Sequence, residues 1–170
     1  MVFAIPQITS SRRLFSFAAM ERQVVASLRD ARQQAMSQRK TITFRYEDAG
    51  KQIVLYGGSF GNLGDAENQI VQMSSGGLQA ANIMYGFPTG VTPAALSDGA
   101  SLTALSSGVV ELEFEGDGSV RDGSDNPIDN ALFFYHNIHG KNTAFAVSIL
   151  GASGRVKIWQ YNGQSDAYVE

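Results

Sequence analysis

Two histidines, His136 and His139, stand three residues apart in the stretch HNIH and are the only histidines in the chain. A pair like this could begin a zinc site. Zinc takes roughly three or four protein ligands, however, and the chain has no cysteine and no glutamate close to HNIH. On a strand, residues three apart point to opposite faces, so a strand end entering a turn is the expectation here.

The stretch EGDGSVRDGSDNPID gathers Glu115, Asp117, Asp122, Asp125 and Asp129. Calcium takes roughly six to eight oxygens from loops of this composition. A calcium ion in the Asp117–Asp125 loop is the one cofactor the sequence suggests. The spacing departs from the EF-hand register, and Asp, Asn, Gly and Pro are also ordinary turn formers. Turns without a cofactor are therefore expected.

YGGSFGNLG, from Tyr56 to Gly64, is rich in glycine. A phosphate loop would continue into Gly-Lys-Ser/Thr. Asp65 and Glu67 follow instead and would repel phosphate, so this stretch reads as a loop between strands.

In GRVKIWQY, Arg155 and Lys157 fall on one strand face in phase with Trp159 and Tyr161. A basic and aromatic strip can hold a nucleic acid strand. Two cations neutralise few phosphates, so nucleic acid is disfavoured and an exposed face that pairs with a neighbour's carboxylates is expected. No Gly-x-Ser-x-Gly elbow is present, and neither histidine has a matching Ser and Asp. Nothing in these residues argues for an enzyme or a small-molecule substrate.

The elements that would carry these stretches follow from periodicity. Phe17, Met20, Val24, Leu28, Ala31 and Ala35 step by three or four residues and make one helical stripe. No Gly or Pro occurs from Gln7 to Ala49, which predicts a helix from about Gln7 to Arg39 with Pro6 at its first turn. From Thr41 the period becomes two. TITFRYE and KQIVLY predict a hairpin across Asp48-Ala49-Gly50. VVELEFE puts Val110, Leu112 and Phe114 on one face and Glu111, Glu113 and Glu115 on the other. ALFFYHN, TAFAVSIL and RVKIWQY predict three further strands, with weaker ones at Gln69–Met73 and Gln79–Tyr85. Residues 86–108, rich in Gly, Pro, Ser, Thr and Ala, read as a long surface loop or a poorly ordered insertion. The predicted class is α+β, with a long N-terminal α-helix over residues 1–40 packed on an antiparallel β-domain over residues 41–170.

The composition agrees with one domain. A chain of 170 residues buries roughly 70% of its unfolded surface and needs no metal or disulfide staple. The net charge is -3, unevenly spread. Residues 1–40 hold seven of the thirteen Lys and Arg and two of the sixteen acids, leaving the first quarter at +5 and the remainder at -8. An anionic lipid surface or an acidic partner near the first part would suit that asymmetry, as would a solvated helix face. No run of about 20 apolar residues is present to span a membrane. The chain nonetheless opens on MVFAI, a short apolar scrap ending at Pro6.

Three stretches together resemble the type IV pilin-like proteins, in particular the H-type minor pseudopilins of type II secretion and the FimT-like minor pilins. FAIPQI resembles the end of that family's hydrophobic N-terminal helix. LRDARQQAMSQRKTITFRY resembles its helix end running into the first strand. ELEFEGDGSVRDGSDNP followed by FAVSILGASGRVKIW resembles its C-terminal signature of alternating strand, Gly turn, strand, Gly and Gly-Arg-Val-basic. Residues 57–108 match nothing in the family pattern.

The resemblance implies a structural minor subunit of a type II secretion pseudopilus or a type IV pilus. It implies an inner-membrane anchor, a periplasmic globular domain, methylation, and other pilins or pseudopilins as partners. It also implies that the leader, the cleavage site, the early glutamate and most of the membrane-spanning half-helix lie outside this sequence. On that reading Phe3, Ile5, Pro6, Ile8, Arg12, Arg13 and Phe15 would serve assembly, and Phe17, Met20, Val24 and Leu28 would hold the helix to the sheet. The alternative the family offers is DNA uptake through a Gly-Arg-x-basic strand, with Arg155 and Lys157 as contacts.

Overall fold

The computed structural model of the protein describes residues 5–58, 67–74, 77–91 and 95–170, and the side chains within them except those of 5–14 and 67–68. Phe3 lies outside the described residues, as do the side chains of Ile5, Pro6, Ile8, Arg12 and Arg13 and most of the glycine-rich stretch after Tyr56.

The apolar stripe predicts one helix, and α1 spans Ile5–Gln38. Phe17, Met20, Val24, Leu28, Ala31 and Ala35 are all buried along it, joined by Val25 and Ser27. No glycine ends the helix. Arg39 takes a left-handed φ of 50° instead, and the Lys40 N–H reaches back to the Ala35 carbonyl at 3.2 Å. That is the Schellman closure, built here on a residue that adopts it at some cost.

Among the described residues ten strands follow in two antiparallel sheets. The first comprises β1 (Ile42–Glu47), β2 (Gln52–Gly57), β3 (Glu67–Gln72), β5 (Val109–Phe114) and β6 (Val120–Arg121), in the order β3-β2-β1-β5-β6. The second comprises β4 (Ile83–Tyr85), β7 (Asn130–His136), β8 (Gly140–Leu150), β9 (Arg155–Asn162) and β10 (Ala167–Val169), in the order β10-β9-β8-β7-β4. The register follows the alternation in the sequence. Phe44 sits opposite both Leu55 and Leu112, and Tyr46 opposite Ile53 and Val110. The segment predicted as a strand over Gln79–Tyr85 is a 3-10 turn at Ala80–Asn82 and a three-residue strand at Ile83–Tyr85.

One core unites the helix with both sheets. The helix stripe shares one buried cluster with Ile42, Phe44 and Phe114 of the first sheet and with Phe134, Phe145 and Val147 of the second. Tyr46 bridges the sheets, stacked on Tyr85 at 5.3 Å and edge-on to Phe134 at 5.2 Å. Its hydroxyl donates to Asp48 at 2.7 Å. Burial, and then that bond to an anion, push the phenol well above its usual range.

The second sheet is covered on both faces, which explains why ALFFY reads as a continuous apolar run rather than an alternation. The covering is the stretch expected to lie on the surface or in poor order. Among the described residues of 86–108 no regular strand forms, yet Leu96 and Ala100 are buried against Ala131, Phe133, Ala146 and Trp159, with Phe87 and Leu102 alongside. The apolar residues of this segment recur too irregularly to give a period. They serve as a lid of single side chains over the outer face of the sheet.

Candidate functional site

The helix enters the β-domain at a definable point. Phe17 is 3% exposed and packs edge-on to Phe145 at 5.6 Å. Phe15, half a turn earlier and on the other side, is 73% exposed. From Phe17 onward the apolar stripe is spent on the chain's own sheets, whereas Phe15 faces outward. Among the described residues, no helix is long and apolar enough to cross a membrane.

The β9 strip is not the open basic and aromatic face that the alternation predicts. Arg155 is exposed. Lys157 is tied by its Nζ to Glu170 Oε2 at 2.6 Å and lies over the Trp159 ring at 5.1 Å. Trp159 is 2% exposed beneath Leu96 and Ala100. Its indole N–H donates to Ser148 Oγ at 2.8 Å, and Ser148 donates in turn to Asp98 at 2.6 Å. The covering segment thus supplies both the apolar cover and the carboxylate that completes a buried polar chain. The strand period places Trp159 outward correctly; the cover comes from residues some sixty positions away (98 against 159) and left no sequence signal.

The acidic stretch folds as a β5–β6 hairpin and the turn after it, and its carboxylates fasten those turns. Asp117 accepts from the Ser119 N–H at 2.8 Å and hydroxyl at 2.6 Å, and from Arg121 at 3.1 Å. These bonds hold its carboxyl below the usual range. Arg121 also reaches Asp125 at 3.0 Å. Asp122 accepts the backbone N–H groups of Asn126 and Ser124, which lower its carboxyl likewise. Asp129 accepts the Gly151 N–H at 2.7 Å. Among the described residues no three His, Asp or Glu side chains converge where they could share a metal ion.

The histidines sit where a strand end enters a turn, as their spacing predicts. The chain turns immediately after β7, so the two rings meet at 4.7 Å instead of pointing to opposite faces. His136 is fully buried beside Phe17 and accepts the Ile138 N–H through Nδ1 at 3.1 Å. The pair closes a turn.

The β8–β9 turn shows why the sequence reads Gly-Ala-Ser-Gly-Arg. Gly154 has φ +59°, and a Cβ on it would sit 1.9 Å from the Gly118 carbonyl oxygen and 2.9 Å from Arg32 Nε. A Cβ on Gly151 would sit 2.3 Å from the Ile128 backbone nitrogen. Two strips of backbone from different sheets meet here, joined by the Val120 N–H to the Gly151 carbonyl at 2.7 Å. Arg155 leaves this turn beside Arg29 and Arg32 of the helix.

No family model matches the chain, and no curated protein matches it. Solved structures do. A crystal structure of the type IV minor pilin FimU from Pseudomonas aeruginosa is similar with a TM-score of 0.53 and 18% identity, over 91% of this chain and 92% of that one. A second crystal form of FimU gives 0.50 and 17%, over 83% and 90%. One long N-terminal helix on two antiparallel sheets is therefore a pilin-like α+β fold, shared with a type IV minor pilin.

Proposed function

We propose that this chain is a structural minor subunit of a type IV pilus or a type II secretion pseudopilus. It joins its neighbours through the N-terminal helix and selects among them with its β-domain. The observation that carries this reading is the pilin-like architecture. A single helix of 34 residues is braced by two sheets from Phe17 onward and presents Phe15 outward at the point of entry. The likeness to a minor pilin over most of both chains supports it.

The energetics suit such an assembly. Helix surface not used by the chain's own sheets is available to neighbouring helices. At ~25 cal/mol per Å², a few hundred Å² of apolar helix against each neighbour contributes several kcal/mol before ordering costs. Ile5, Pro6 and Ile8 lie on this part of the helix with Phe15, and Arg12 and Arg13 punctuate it with charge suited to lipid head groups or an acid on the next subunit. On this reading the helix anchors in the inner membrane, the β-domain is periplasmic, and the partners are other pilins or pseudopilins.

The test is incorporation. Phe15→Asp in the full chain leaves the thermal midpoint unchanged, because the side chain is 73% exposed, and lowers the amount recovered in sheared filaments. Normal incorporation of a folded Phe15→Asp protein would count against assembly through this helix.

A further inference from the structure

The charges of this chain are unequally satisfied. Every carboxylate side chain among the described residues is engaged. Glu21 accepts from Gln160, Asp30 from Gln34, Glu115 from Thr41, and Asp98 from Ser148, while Glu47, Glu111 and Glu170 take Arg45 or Lys157. The cations are not matched in the same way. Arg45, Lys51, Arg121, Lys141 and Lys157 have carboxylates within 4.0 Å, whereas Arg22, Arg39, Lys40 and, lining one groove, Arg29, Arg32 and Arg155 have none among the described residues.

Arg29, Arg32 and Arg155 are together. They line a groove of about 690 Å³ between the last turns of α1 and the β8–β9 turn, with Gln33, Ser153 and Gly154. Arg32 is half-buried, and its Nε–H is committed to the Gly118 carbonyl at 3.3 Å. That bond fixes the guanidinium against the turn and leaves its terminal NH₂ groups free of any carboxylate. Gly154 packs so closely on Gly118 and Arg32 that the floor of the groove has no space for a side chain there. Arg29 and Arg155 stand exposed on the two walls. A planar guanidinium held in place and flanked by two others suits the fork geometry of carboxylates.

We propose that this groove is the docking site for an acidic segment of a neighbouring subunit, whose Asp or Glu carboxylates bridge Arg29, Arg32 and Arg155. The identity of that partner as a pilus subunit rests on the function proposed above. Charge complementarity selects an outside partner, since the chain's own described carboxylates are already used. It also favours a short acidic peptide over nucleic acid. A polyanion needs a long track of cations, yet the next cation along β9, Lys157, is held by Glu170 at 2.6 Å.

The experiment titrates the full chain with a synthetic peptide rich in glutamate, following arginine Nε–H resonances by NMR at low salt. A peptide with glutamine in place of glutamate and a single-stranded oligonucleotide run in parallel. The expected result is a shift at Arg29, Arg32 and Arg155 with the glutamate peptide only, weakened by salt. Arg155→Glu and Arg29→Glu should each weaken binding by about tenfold, and Arg39→Glu, outside the groove, by no more than about twofold. Thermal midpoints verify that the variants fold, and the wild-type titration stands without them. No shift, equal losses from Arg39→Glu, equal binding of the glutamine peptide, or tighter binding of the oligonucleotide would each overturn the proposal. If the protein enters filaments but takes no peptide, the groove proposal falls and the subunit reading stands. If it takes the peptide but enters no filament, the groove keeps its acidic ligand and the subunit reading falls.

Discussion

Gly154→Ala measures how tightly the β8–β9 turn is wedged between the sheets. The residue sits at φ +59°, where an alanine costs about 1 kcal/mol over glycine. Its new Cβ would lie 1.9 Å from the Gly118 carbonyl oxygen, against the 3.4 Å at which ordinary contact begins. The two backbones must part by the difference, and both are held. Separation strains the Arg32 Nε–H bond to Gly118 at 3.3 Å and the Val120 N–H bond to Gly151 at 2.7 Å. Each is worth about 1 kcal/mol net, so the total is about 3 kcal/mol. The control is Gly140→Ala, at φ +49° with nothing within 4 Å of the added Cβ. It carries the backbone cost alone, about 1 kcal/mol. Urea denaturation of both variants, with the slopes compared to verify an unchanged unfolded state, reads the difference. Equal destabilisation of the two would refute the reasoning, because it would mean the turn is free to retreat from Gly118 at no cost.

Further outcomes follow from the same geometry. Leu28→Ala, at a fully buried position in the helix stripe, lowers stability by about 2–5 kcal/mol in chemical denaturation. Ser148→Ala removes the acceptor of the Trp159 N–H and the donor to Asp98; it costs about 1–3 kcal/mol and changes the tryptophan fluorescence of the chain's one Trp. Glu21 has its carboxyl raised, chiefly by burial and against the pull of Gln160 and Arg22. The folded state therefore holds this proton more tightly than the unfolded one, and the charged form costs stability once the pH rises through the carboxylate range. Glu21→Gln should raise Tm at neutral pH and give no gain at pH values below that range. Asp117 and Asp122 have the opposite sign. Their contribution is present above the ordinary aspartate range and is lost as the pH falls through their lowered values, so mutating Asp122 to Ala should flatten the acid limb of a thermal titration.

What the sequence revealed was whatever a single period encodes. Phe17 through Ala35 spell a helix face because only one helical stripe satisfies their steps, and they all meet the core. Ile42, Phe44 and Tyr46, with Val110, Leu112 and Phe114, spell one buried sheet face and lie paired in register. The rest depends on residues brought together from afar. Arg29 and Arg155 have no local relation in sequence, and their groove exists because Gly154 lets a turn close on the helix. Leu96 and Ala100 have no period, so the cover over Trp159 was invisible. HNIH reads as a strand end entering a turn, and that turn brings the two rings together, a contact the strand rule alone does not give.

The central claim is that the N-terminal helix of this chain sits among the helices of other pilins, and photo-crosslinking from position 15 tests it most directly. A benzophenone amino acid replaces Phe15 in the full chain, within the native host as it assembles filaments, with Val54, fully buried in the first sheet, as the control position. The account predicts adducts with pilin subunits from position 15 and none from position 54. Filaments that assemble normally with no pilin adduct from position 15 would contradict it.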